Sequence, residues 1–263
     1  MQVGKNIKPQ LARLLAWGGR FRTLTLARWA FCDYPTGCVL KRPFYNYELH
    51  VDVSRTDTHR LLFLEGERFI EERTILNPLL HSGMTVADVG ANIGYHTLLF
   101  AHNVGSRGRV VSFEPDPVNL GELHTNCDAN NLDHVSVVEA AVGNEKGKVG
   151  FRSGLNGNID TSSGHSVPIT TIDATFSDRP VDFIKVDVEG FEMSVLEGAK
   201  DVISRDMPII FLEMHSKLST NHSRKNVLKF INSFYNDVRI YQKDEKLTSK
   251  IMHRYSGGSI FRD

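Results

Sequence analysis

From Thr85 onward, apolar and polar positions alternate in a regular beat of short apolar runs and amphipathic stretches. "TVADVG" predicts a strand, 95–104 a helix, "RVVSFEP" a strand, 116–130 a helix and "VSVVEAAVG" a strand. After a turn-rich interval, "VDFIKVDVEG" and "MPIIFLEMH" predict two further strands on either side of a helix over 191–205. These strands are short, β-branched and apolar on both faces, as parallel strands covered by helices must be. Strand–helix alternation of this kind gives a doubly wound α/β sheet with right-handed crossovers.

The flanks follow other patterns. Residues 46–53, "NYELHVDV", alternate apolar Tyr47, Leu49, Val51 and Val53 with polar neighbours, which predicts a half-buried strand. Residues 59–81 carry helical spacing that Asn77-Pro78 should kink or end. Beyond a helix near 222–236, "DVRIYQ" and "GSIFR" read as a closing hairpin with one strand antiparallel to the rest. The Gly-, Asn- and Ser-rich stretch 152–166 reads as a mobile loop placed to act as a lid.

Composition narrows the function classes. A length of 263 residues suits one large domain or a domain with an appendage. Basic and acidic side chains balance at 31 each, which disfavours nucleic acid as a partner. No apolar span is long enough to cross a bilayer. Cys32, Cys38 and Cys127 lack zinc-site spacing and are too few for a disulfide framework, pointing to a reducing, cytoplasmic setting. The first thirty residues carry Lys5, Lys8, Arg13, Arg20, Arg22 and Arg28 and no acid until Asp33. That makes a poor signal peptide. It reads as a solvated helix face, with peripheral membrane contact or capping of a cleft as the sharper alternative.

The stretch "VADVGANIGYHTLLFA" carries the chemistry: a strand runs into a glycine turn and straight into a helix. Asn92 stands where a dinucleotide fold wants its middle glycine, so a pyrophosphate would be crowded. S-adenosylmethionine fits better. Asp88 at the strand end can receive its ammonium, and N–H groups at the helix start its carboxylate. Gly90 and Gly94 keep Cβ atoms clear of it. Glu114, ending the second strand, can accept both ribose hydroxyls, and Glu139, Ala140 and Ala141 edge a slot for adenine. The plain alternatives are a helix N-cap for Asp88 and a tight turn for the glycines.

Together with "VVSFEPDP", "AAVGNEKGKVGF", "TTIDA", "VDFIKVDVEGFEMSVLEGA" and "PIIFLEMH", in that order, this stretch resembles the FkbM family of S-adenosylmethionine-dependent methyltransferases over roughly Glu71 to His215. The resemblance implies a class I methyltransferase fold: Rossmann-like, doubly wound, with a mostly parallel seven-stranded sheet and an antiparallel closing strand. It also implies O-methylation of a sugar, polyketide or similar hydroxylated small molecule. Residues 1–70 match no motif and read as an N-terminal α/β extension capping the substrate, with 71–263 as the methyltransferase domain; assembly as a homodimer is left open.

Ligands of open α/β sheets bind beyond the carboxyl ends of the strands. Asp187 and Glu189 follow the fourth strand of the beat, Glu213 and His215 the fifth. Removal of a hydroxyl proton needs a base, for which His215 is the first choice because its ordinary pKa lies near working pH. Asp187 is read as orienting the methionyl ammonium or the acceptor, with Glu213 beside it. Glu192 is read as favouring a helix N-terminus. Lys185, on the same face as Asp187 in an apolar strand, should pair with a carboxylate. Asp187, Glu189 and Glu213 could instead hold Mg²⁺ against an acceptor diol. Two rival classes stand: an RNA or protein methyltransferase docking through the basic N-terminus, and a non-catalytic S-adenosylmethionine-binding protein.

Overall fold

The computed structural model describes residues 28–65, 70–153, 158–159, 165–214, 224–236, 238–243 and 247–252. Alternating residues in β1 (Val39–Phe44) and β2 (Tyr47–Asp52) make an antiparallel hairpin that turns at Tyr45, which has positive φ. Helices α1 (Asp57–Glu65) and α2 (Ile70–Leu76) follow, and a 3₁₀ turn over Asn77–Leu79 begins where Pro78 ends the α-helical ladder. The beat read from the sequence then appears as β3 (Thr85–Val89), α3 (Tyr95–Val104), β4 (Arg109–Phe113), α4 (Pro117–Ala129) and β5 (Val135–Val138).

Next come β6 (Ala141–Val142), β7 (Gly147–Arg152), β8 (Asn158–Ile159) and β9 (Ser166–Thr170), which form a separate four-stranded sheet in the order β6-β9-β7-β8. Then α5 (Ile172–Thr175), β10 (Phe183–Val186), α6 (Glu192–Glu197), α7 (Lys200–Asp206), β11 (Ile209–Met214), α8 (Arg224–Asn232), β12 (Val238–Lys243) and β13 (Leu247–Met252) complete the described chain. The central sheet runs β12-β13-β11-β10-β3-β4-β5. Its pairs from β11 to β5 are parallel, while β13 lies antiparallel to both its neighbours. The fold is thus α/β with a mostly parallel sheet.

Three expectations need correction. "VSVVEAAVG" is not one strand: it breaks after Val138, and Ala141–Val142 leaves to pair with β9 in the small sheet. The helix expected over 191–205 is two helices parted at Gly198, where a Cβ would lie 1.9 Å from the Gly143 carbonyl oxygen, so only glycine fits the junction. The partner of Val238–Lys243 is Leu247–Met252; "GSIFR" lies outside the described residues, as do most of the 152–166 loop and the basic residues before Arg28. Arg28 itself pairs with Asp57 at 2.6 Å.

Apolar side chains cover both faces of the sheet. Val86, Val110, Phe183 and Phe211 turn to one side, where they meet α3, α4 and the hairpin residues Phe44, Leu49 and Val51. Ala87, Val89, Val111, Phe113, Ile184, Val186, Ile210 and Leu212 turn to the other, against the helices α6, α7 and α8. Each buried aliphatic or aromatic side chain contributes roughly 1.5–3 kcal/mol. The hairpin therefore shares one core with the sheet.

Candidate functional site

Alternation along a strand decides what lies beside what. On the face that α3 covers, the apolar residues Val86, Val110, Phe183 and Phe211 are followed two positions later by Asp88, Ser112, Lys185 and Glu213. The register sets Asp88 directly between Ser112 and Lys185. A polar belt therefore crosses this face near the carboxyl ends of the strands, and all four residues are buried. Two positions further, Glu114 and Asp187 continue it.

Burying charge this deeply requires partners. Thr97, in the first turn of α3, donates its hydroxyl to Asp88 Oδ2 at 2.7 Å and lies 3.0 Å from Ser112 Oγ. Lys185 Nζ donates to the Gly90 carbonyl at 3.0 Å and sits 3.5 Å from both Asp88 Oδ1 and Asp187 Oδ2. Burial alone would depress this ammonium. The carboxylates of Asp88, Asp187, Glu213 and Glu72 outweigh it and hold the pKa above the ordinary lysine value. The pairing expected of Lys185 is present. Asp88 is fully buried and faces the Lys185 ammonium at 3.5 Å.

Two members of the cluster escaped the sequence reading. Glu72, on α2, lies 3.2 Å from His96 Nε2, and both are buried. The signal was there: Glu72 shares a helical phase with Leu76, Leu79 and Leu80, all buried, so it points inward with them.

The loop between β3 and α3 explains its own residues. Gly90 has φ +78°, and a Cβ there would lie 1.9 Å from the Asp187 carbonyl oxygen, so the glycine lets β3 and β10 ends meet. That is a packing reason for glycine at this position. Asn92, with φ 52°, adopts the left-handed form that asparagine tolerates, and its Oδ1 accepts from the Ile93 N–H at 2.9 Å. Gly94, at φ +92°, is the N-cap of α3 and offers no side chain to it. The helix therefore starts without a cap from the side chain of its N-cap residue.

Glu114 faces this loop. Its Oε2 accepts the Asn92 N–H at 2.8 Å; its Oε1 accepts the Asp116 N–H at 2.9 Å and Asn119 Nδ2 at 3.3 Å. Burial is the largest influence on it and pushes its pKa up to about 7. The three donors oppose that shift, and the nearby Asp116 charge adds to it. One lone-pair direction on Oε2 remains for a further donor.

At the β10 end, Asp187 has 28% of its side chain exposed, the most accessible carboxylate of the belt. Glu189 follows in a left-handed turn with Gly190. Glu192 accepts the Gly190 N–H at 2.9 Å and begins α6, in keeping with a helix-terminus role. Glu139 lies apart: its side chain is 65% exposed and meets His124 at 3.1 Å. Ala140 and Ala141 are buried, the latter against Phe151, Val167 and Ile169 of the small sheet. His215 lies outside the described residues. Among the described residues no group of three or more His, Cys, Asp or Glu side chains is placed to hold a metal ion, so Asp187, Glu189 and Glu213 are not gathered as a ligand set. All three cysteines are free thiols.

The sequence profile of the methyltransferase FkbM domain matches residues 88–238, more than half the chain, and spans the whole belt. The chain belongs to the FkbM methyltransferase family. Its structure is similar to methyltransferase FkbM from Methylobacillus flagellatus, at 21% identity and a TM-score of 0.50 over 75% of this chain and 54% of that one. This FkbM-family chain thus spans about half the length of that relative. A proposed transferase from Pyrococcus horikoshii is similar at 14% identity and a TM-score of 0.51, over 88% and 80% of the two chains. Aeropyrum pernix fibrillarin, solved with S-adenosylmethionine, aligns at 12% identity and a TM-score of 0.47 over 83% and 84%. At these identities the first two likenesses speak for the fold alone. No curated protein sequence matches the chain significantly. Among the described residues no helix is long and apolar enough to cross a membrane.

Proposed function

We propose that this methyltransferase moves a methyl group from S-adenosylmethionine to a hydroxyl oxygen of a saccharide or secondary metabolite, within a class I arrangement closed by the reversed strand β13. The observation that carries the reading is the placement of the glycine turn that starts α3, Glu114 and Asp187 at the carboxyl ends of neighbouring strands. These groups fit the cofactor's polar atoms. The α3 N–H groups suit its carboxylate. Asp187 can meet its ammonium, and the remaining Oε2 lone pair of Glu114 can take a ribose hydroxyl. Glu139, Ala140 and Ala141 stay assigned to the adenine edge.

The bound cofactor supplies an electrophilic methyl on a sulfonium. The protein's part is alignment in a dry cleft, worth on the order of 7–11 kcal/mol, and removal of the acceptor's proton. His215, directly after β11 in the sequence, is the proposed base, with Asp187 and Glu213 as the other proposed catalytic groups. Lys185 pairs with Asp187 and donates to the Gly90 carbonyl, tying the β10 end to the loop after β3.

The test is calorimetric titration with S-adenosylhomocysteine, followed by methyl transfer to hydroxylated acceptors with and without EDTA. Micromolar binding that weakens at least tenfold in Asp187→Asn, with turnover lost in His215→Ala, is the expected result. Absence of binding by the unaltered protein sinks the cofactor assignment, and full turnover in His215→Ala sinks the base.

A further inference from the structure

We infer that Arg55, in the motif-free N-terminal segment, is a positioning residue for Glu114, acting through the amide of Asn119. The inference rests on the reading of Glu114 as the ribose acceptor. Arg55 follows β2, and its Nη2 donates to Asn119 Oδ1 at 2.9 Å. On the far side of the same amide, Nδ2 donates to Glu114 Oε1 at 3.3 Å.

A guanidinium is a donor only. The side of Asn119 turned toward Arg55 must therefore be its carbonyl, which leaves the NH₂ group no direction but Glu114. Without the arginine, the amide can turn over and set an oxygen lone pair against the carboxylate. Asn119 is 5% exposed, so water competes little for either end.

Arg55 is itself held. Its Nη1 pairs with Glu122 Oε1, and Glu122 Oε2 accepts the Asp52 N–H at 3.2 Å. His59 Nε2 lies 3.5 Å from Glu122, and its Nδ1 is 2.7 Å from Thr56 Oγ1. Burial would raise the Glu122 pKa, but His59, Arg55 and the Asp52 N–H outweigh it and keep the carboxyl below its ordinary value. Asn119 and Glu122 stand three residues apart on α4, one face of which the hairpin grips. Asn126 accepts the His50 N–H at 2.7 Å, and Asn130 the Glu48 N–H at 2.7 Å. This ladder of α4 side chains serves the open edge of β2 and sets Arg55 in register with Asn119.

The groups facing Glu114 are the Asn92 N–H, the Asp116 N–H and carboxylate, and Asn119, with Arg55, Glu122 and His59 behind. Only the Asn119 donor is set from the N-terminal segment. Its loss removes a hydrogen bond to the ionised form, which raises the pH at which Glu114 ionises.

The experiment measures S-adenosylhomocysteine affinity from pH 5.5 to 9 for the full chain and for Arg55→Met, Arg55→Lys, Asn119→Leu and Glu114→Gln, each checked for folding by thermal melting. Arg55→Met and Asn119→Leu should bind about 2- to 10-fold more weakly at pH 7, the range of one hydrogen bond, with the midpoint of the pH profile moved to higher pH. Lysine, also a donor only, should restore the midpoint. Asn119→Leu leaves the Arg55–Glu122 pair intact, so it reports the effect even if Arg55→Met fails to fold. If Glu114→Gln loses binding while neither other variant moves the midpoint, the relay is refuted and the ribose assignment stands. If Glu114→Gln binds as the unaltered protein does, both fall.

Discussion

The two faces of the four inner parallel strands β11, β10, β3 and β4 differ in one respect. Ala87, Val89, Val111, Phe113, Ile184, Val186, Ile210 and Leu212 make one face apolar from end to end. The opposite face begins the same way and changes at its last positions to Ser112, Asp88, Lys185 and Glu213. The apolar face gains stability with every residue. The belt spends desolvation to hold charge beneath α3, and a buried ion pair is weak evidence for stability. The belt lies beside the glycine turn that starts α3 and beside the accessible Asp187, the arrangement on which the proposed cofactor site rests.

The largest break in this comparison is Lys185→Met. It leaves Asp88 buried without its counter-charge and should destabilise by about 3–5 kcal/mol, seen as a lower midpoint in denaturant unfolding. Adding Asp88→Asn should recover much of that loss; no recovery would mean that the lysine stem, rather than its charge, is what the site needs.

Leu212→Ala, on the apolar face, should cost about 2–5 kcal/mol through the cavity it leaves. Thermal melting would show the loss, and ligand affinity measured below the transition should stay put. A ligand-specific defect would mean that the two faces are coupled.

A smaller effect is pH-dependent. The folded Glu114 pKa, about 7, lies above its ordinary value of 4.5. Its contribution to stability is therefore full at pH below 4.5 and declines as pH rises to 7. Over that window the unfolded chain has released the proton and the folded chain has not. The difference in unfolding free energy between the unaltered protein and Glu114→Gln should follow this slope and flatten above pH 7. A difference independent of pH would contradict the burial-driven shift.

How much of this could be read from the sequence depends on range. Local patterns gave the β3–α3 and β4–α4 units and, through strand parity, the shared face of Lys185 and Asp187. The pairing of Lys185 with Asp88 could not be assigned to a partner, because register between strands nearly a hundred residues apart is not local. The small sheet stayed hidden because β6 and β8 are only two residues long, and Gly and Asn interrupt β7 and its neighbourhood. Gly198 marked a helix break whose cause, the carbonyl of Gly143, is itself distant in sequence. Arg55 belongs to the motif-free N-terminal segment and Glu72 to a helix ahead of the quoted motifs, and only packing brings them toward the belt.

The central claim is that the belt-bearing face, and not the apolar one, binds the methyl donor. S-adenosylhomocysteine affinity measured side by side for the unaltered protein, Asp187→Asn and Leu212→Ala tests it most directly. The account predicts at least about a tenfold loss for Asp187→Asn, the effect of one charge-assisted contact, and near-unchanged affinity for Leu212→Ala. Unchanged binding in Asp187→Asn, or equal losses in the two variants, would contradict it.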